Sequence, residues 1–154
     1  LKIRERRNFY LSLHGLLLIS LSGSAMAIDP VYTGYFNDNA ISGYDAVAYF
    51  TQGKPVTGSD KFTFDYMYAT WSFSSQQNLD MFIAEPAAYA PQYGGYCAYA
   101  VANGDTASAE PDLWTIYDGK LYLNYSRKIN ARWSEDIPGY IEKANRQWKI
   151  FMAE

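Results

Sequence analysis

The 154-residue chain has one cysteine, Cys97, and one histidine, His14. A single cysteine closes no disulfide within a chain, so Cys97 is free, pairs between chains, or binds something. His14 lies in an N-terminal segment that reads as removable, and without it no imidazole is left as general base or metal ligand. Ser-His-Asp and Cys-His catalysis are then excluded, and so is a Cys/His zinc site. No pair of acids reads as a catalytic dyad. Glu135 and Asp136 are adjacent at a helix start, where they favour the dipole. Glu110, Asp112 and Asp118 read as a solvated loop without calcium-loop spacing. Gly94-Gly95 has no following lysine and no strand leading into it, so it is no phosphate loop. No internal repeat, linker or low-complexity run stands out. The balance of these absences is against an enzyme.

The N-terminal segment has three parts. Lys2, Arg4, Arg6 and Arg7 form a basic start, residues 9–21 are mostly apolar, and small residues end in Ala25-Met26-Ala27. The small-x-small pattern predicts cleavage after Ala27, with Ile28 as the new N-terminus. The apolar run is about 13 residues, and a membrane span needs roughly 20. A signal peptide over residues 1–27 therefore fits better than an anchor, and the expected location is periplasmic or secreted. The general secretory route fits the pattern. Arg6-Arg7-Asn8-Phe9 also resembles a twin-arginine signal. Removal of residues 1–27 takes Lys plus Arg from 13 to 9 and Asp plus Glu from 16 to 15, a net of about −6. That charge argues against nucleic acid and against an anionic membrane surface as partners.

Aromatic residues make up 18% of the chain, with 15 tyrosines. They suit an aromatic core with hydroxyls reaching the surface, or an aromatic-lined binding face. Phe62 and Phe64 alternate with polar neighbours over residues 61–66, as do Trp71 and Phe73 over 70–74, which predicts a hairpin closing near Met67. Ser74 or Ser75 caps a helix running to about Glu85, with Leu79, Phe82 and Ile83 on one face. Pro86 stops it, and Tyr89 follows on a short turn. The alanine-rich run after Gly94-Gly95 is expected to be helical up to Gly104. Asp118-Gly119 marks a second hairpin, residues 114–117 with 120–124. Ser126 caps a short helix through Trp133, and residues 137–151 form the last helix, with Pro138 in its first turn. The expected fold is α+β, a small domain of β-hairpins interleaved with helices over residues 28–151.

Gly43-Tyr44-Asp45-Ala46-Val47-Ala48-Tyr49-Phe50 resembles the opening of the YHS domain family. Trp71-Ser72-Phe73-Ser74-Ser75, then Phe82, Pro86 and Tyr89, resembles its hairpin-to-helix segment. Residues 90–98, containing Tyr93-Gly94-Gly95-Tyr96-Cys97, resemble an exported subgroup, some members of which carry selenocysteine at the matching position. The resemblance covers about residues 40–151. It implies a YHS- or TRASH-like core over about 40–104, with a C-terminal hairpin and helices over 113–151. Wider family members are thought to bind metal through three cysteines. Ala48, Ser74 and Asn78 stand at those positions here, and none supplies a thiolate.

Three readings of Cys97 stay open. It packs as a small apolar residue. Alternatively, it is a redox thiol in the first turn of the helix after Gly94-Gly95, where the dipole favours thiolate; the selenocysteine variants point the same way. Or it binds a soft metal such as copper(I), with Met67, Met81 and Met152 as the remaining sulfurs and a homodimer as the likelier arrangement. Asp45 either braces its turn or serves as a polar site residue. Two functions follow: an exported accessory protein with a thiol-centred role at Cys97, or a non-catalytic partner-binding module. A hydrolase or transferase using Tyr, Lys or paired carboxylates is a weaker third.

Overall fold

Alternating aromatic residues build the first hairpin. The structure, a computed structural model, describes residues 27–153. The segment read as a signal peptide, with His14, lies outside the described residues, apart from Ala27. Strand β1 (Ser59–Tyr66) pairs antiparallel with β2 (Ala69–Phe73), Phe64 opposite Trp71. Ala69, Trp71 and Phe73 are buried while Thr70 and Ser72 are not, as the two-residue strand period requires. Helix α2 (Gln76–Ala84) follows, and the Ser75 hydroxyl accepts the Asn78 N–H at 3.1 Å as its cap. It buries Leu79 and Phe82, and the Phe82 ring lies 4.8 Å from Trp71 and 5.0 Å from Phe73. Pro86 does not simply stop this helix. It opens a four-residue helix of its own, α3 (Pro86–Tyr89), because a first-turn proline gives up no helical hydrogen bond.

The second hairpin joins β3 (Glu110–Tyr117) to β4 (Lys120–Asn124) around Asp118-Gly119. Glu110 and Asp112 therefore lie exposed on a strand rather than in the expected loop, and Asp118 is at its turn. Strand β4 has both faces covered. Leu121 and Leu123 enter a core cluster with the first hairpin, while Tyr122 enters a second cluster with Trp133 and Ala144. Helix α5 (Arg127–Ser134) is capped by Ser126, and α6 (Ile137–Phe151) by Asp136. With α1 (Ala48–Thr51) and α4 (Ala98–Ala102), the described residues form a small single-domain α+β fold of six helices and two hairpins. None of these helices is long and apolar enough to cross a membrane.

The chain holds an internal repeat, contrary to the sequence expectation. A shift of 51 residues carries β1 onto β3, β2 onto β4, Ser75 onto Ser126 and the start of α2 onto that of α5. The strand registers match pair for pair, including the irregularity after Ser59 and after Glu110. Buried Trp71 maps to Tyr122 and buried Phe82 to Trp133. Glu85 (φ −144, ψ 69) maps to Asp136 (φ −151, ψ 68). One residue more, a shift of 52, carries Ile41-Ser42-Gly43-Tyr44-Asp45-Ala46 onto Tyr93-Gly94-Gly95-Tyr96-Cys97-Ala98. Both stretches begin with three consecutive left-handed residues and close with the same backbone bond, Tyr44 N–H to Ile41 and Tyr96 N–H to Tyr93, each 3.0 Å. The repeat keeps burial and backbone shape but few residue identities, which is why it escapes a reading by residue type.

Candidate functional site

The turn at residues 41–43 delivers Asp45 to the interior. Ile41 (φ 50) and Ser42 (φ 52) are left-handed without being glycine, at a cost of about 1–2 kcal/mol each. The Asp45 carboxylate is fully buried and accepts five hydrogen bonds. Oδ1 takes the N–H groups of Val47 (2.9 Å) and Ala48 (3.2 Å) at the start of α1. Oδ2 takes the Ser74 N–H (2.8 Å), the Ser74 hydroxyl (2.6 Å) and the Asn78 amide (2.7 Å). The turn, the hairpin end and α2 are thus tied at one point. Ala48, Ser74 and Asn78 converge in space, and a carboxylate holding five donors stands among them. This geometry fits the first of the two roles open to Asp45, bracing its turn.

Cys97 occupies in the second unit the place of Asp45 in the first. It is not in the first turn of a helix as expected. It is the residue before α4, and α4 is only five residues long, since Gly104 (φ 77) and the turn at Asn103 end it. Cys97 is 1% exposed, and its sulfur lies 3.5 Å from Asn124 Oδ1. That same oxygen accepts the Tyr99 N–H at 3.1 Å, while Asn124 Nδ2 donates to Asn130 Oδ1 at 3.1 Å. The Tyr99 N–H, one of the helix-start donors, is therefore already bound. Asn124 and Asn130 went unnoticed in the sequence; the signal that finds them is the 51–52-residue shift, which places the end of β4 where the Ser74 region stands.

The other motif residues are structural contacts. Trp71 donates its indole N–H to the Tyr66 carbonyl at 3.0 Å. The Tyr96 ring packs edge-on to Tyr32 at 5.3 Å, and Tyr44 packs against the first core. Gly94 is required by a close approach: a Cβ there would lie 2.0 Å from the Pro30 carbonyl oxygen. The Tyr93 hydroxyl donates to Asn145 Oδ1 at 2.9 Å, and the Tyr49 hydroxyl to the Pro111 carbonyl at 2.9 Å. Burial holds both phenols well above the usual tyrosine range, with Tyr122 adding to it at Tyr93 and Asp112 at Tyr49. Such phenols are the opposite of activated nucleophiles. Among the described residues no group of three His, Cys, Asp or Glu is placed to hold a metal ion.

Met81 packs partly buried against the first core. Met67 and Met152, far apart in sequence, line one cleft of about 330 Å³ between the two units and α6. Tyr66, Trp71, Gln92, Tyr93 and, from α6, Trp148 are among its other lining residues. No charged side chain lines it. No protein-family model, curated protein or solved structure matches this chain.

Proposed function

We propose that the protein is an exported, non-catalytic binding module with a YHS-like core, in which Cys97 packs and anchors rather than reacts. The observation that carries this is the Cys97 sulfur, buried and facing the Asn124 carboxamide. Reactive thiols are partly exposed and electropositive in their surroundings, and buried structural ones are inert. The equivalence with Asp45 supports the same role, since each residue joins its turn to the end of its own hairpin. The convergence of Ala48, Ser74 and Asn78 around Asp45 supports the YHS-like reading of the core. The competing thiol-centred role, redox or copper(I), requires Cys97 to leave this pocket.

Thiol labelling decides between them. Under native conditions, a chromogenic aromatic disulfide is expected to label Cys97 only as fast as the protein opens, and added urea to accelerate it steeply. Competition against a copper(I) chelator is expected to show no tight site. Prompt stoichiometric labelling of the folded protein, or copper(I) binding lost in Cys97→Ser, would refute this reading. The export proposal is tested separately by the N-terminal residue of the protein recovered from the producing cell's exterior or envelope, which is expected to be Ile28.

A further inference from the structure

We propose that the cleft between the two units binds an uncharged, ring-containing small molecule, an inference that rests on the binding-module reading and gives it a ligand class. Its lining includes the aromatic residues Tyr66, Trp71, Tyr93 and Trp148 and the methionines Met67 and Met152, of which Trp71 and Tyr93 are almost wholly buried. Sulfur and ring faces together favour flat, polarisable ligands. Two polar groups of the lining residues are already used: the Trp71 N–H is bound to Tyr66 and the Tyr93 hydroxyl to Asn145. A charged ligand would lose its hydration without a countercharge. Gln92 remains as the one side-chain amide able to orient a neutral polar substituent. The volume, about 330 Å³, lies at the lower end of the roughly 300–1,000 Å³ range of small-molecule sites. Ligand sites of this kind favour junctions between packed units.

The internal repeat supplies a control for the cleft's lip. Both hairpins turn through two left-handed residues. In the second these are Asp118 (φ 50) and Gly119 (φ 70), a favoured pair; in the first they are Met67 (φ 50) and Tyr68 (φ 62). Met67 is 45% exposed and Tyr68 93% exposed, so packing within the protein does not offset that strain. Strain of this sort persists where a side chain is needed at a clamp, and here it holds Met67 at the cleft.

The test is a titration of the folded protein with N-phenyl-1-naphthylamine, an uncharged probe whose fluorescence rises in apolar sites, followed by displacement with indole. Saturable one-site binding is expected, with quenching of protein tryptophan. Met67→Glu should weaken binding at least about tenfold, about 1.4 kcal/mol. The double variant Met67→Asn/Tyr68→Gly should melt at a higher temperature yet bind about tenfold more weakly. Tyr125→Glu, an exposed change outside the cleft, should bind like the parent. Absence of saturable binding to the folded parent overturns the proposal, as does equal affinity in the Met67→Glu and double variants. A concentration-dependent dimer that Met67→Glu dissociates, without probe binding, overturns it in favour of a second copy. Prompt Cys97 labelling with normal probe binding would sink the anchoring role of Cys97 and leave the cleft standing.

Discussion

Replacing Asp45 tests how one buried carboxylate holds the first unit. Asp45→Ala would orphan five donors: the Val47, Ala48 and Ser74 N–H groups, the Ser74 hydroxyl and the Asn78 amide. Each unmet buried donor costs about 1–3 kcal/mol. Even with relaxation the sum is about 5 kcal/mol or more, comparable with a domain's whole stability of about 5–15 kcal/mol, so this variant is expected to fail to fold. Asp45→Asn is the measurable one. Its single oxygen can keep the three donors from Ser74 and Asn78, but its NH₂ then faces the N–H groups of Val47 and Ala48. Two lost bonds with opposed donors correspond to about 2–4 kcal/mol. Asn78→Asp alone would set two carboxylates against each other, whereas in Asp45→Asn/Asn78→Asp the new amide donates to the new carboxylate. Urea unfolding followed by tryptophan fluorescence should show a lower midpoint at unchanged slope for Asp45→Asn. The double variant should recover at least about 1 kcal/mol over the additive sum. An Asp45→Asn loss below about 1 kcal/mol, or strict additivity, would refute the view that this carboxylate ties the three elements together.

Gly94→Ala places a Cβ 2.0 Å from the Pro30 carbonyl oxygen at φ +61, so it should cost clearly more than the roughly 1–2 kcal/mol of left-handed strain alone. Gly43→Ala, at φ +83 with nothing within 4 Å, should cost only that strain; equal urea midpoints for the two would contradict the close approach. The Trp133 indole N–H is buried without a protein partner, and Phe82 fills the equivalent place. Trp133→Phe should therefore change stability by no more than about 1 kcal/mol, against about 3–5 for Trp133→Ala, in calorimetric melts of both. Tyr49 and Tyr93 have raised pKa values, so the unfolded chain loses those protons first. The contribution of these two tyrosines to stability is expected to be level below pH ~10 and to fall above it by up to about 1.4 kcal/mol per pH unit per tyrosine. Tyr49→Phe should lower stability at neutral pH yet shallow the alkaline slope, and an unchanged slope would show that the Tyr49 hydroxyl is not held protonated.

The elements legible in advance are those decided by neighbours in sequence. Ser75 and Ser126 each bond the N–H three residues on, so α2 and α5 begin where a capping residue meets an apolar 3.6-residue period. The two hairpins follow from alternation and, in the second, from Asp118-Gly119. Helix α6 runs over Ile137–Phe151 as expected, its start marked by Asp136 and Pro138. Helix α1 was not expected, because residues 45–50 are too short and uniformly apolar to show a period. Helix α4 stops sooner than its alanines suggest, since Asn103 and Gly104 turn the chain after Ala102.

By itself the sequence determined the α+β class, most element boundaries and the lone Cys97, because caps, turns and periodicity act over a few residues. Only the tertiary structure decided what those residues do. Asp45 meets Ser74 across 29 positions and Cys97 meets Asn124 across 27, and the cleft brings Met67 to Met152. The repeat itself survives as burial and left-handed turns while side chains differ, Asp for Cys and Phe for Trp. Contacts between residues so far apart are set by how the units pack, and packing constrains volume and hydrogen bonding more than residue identity.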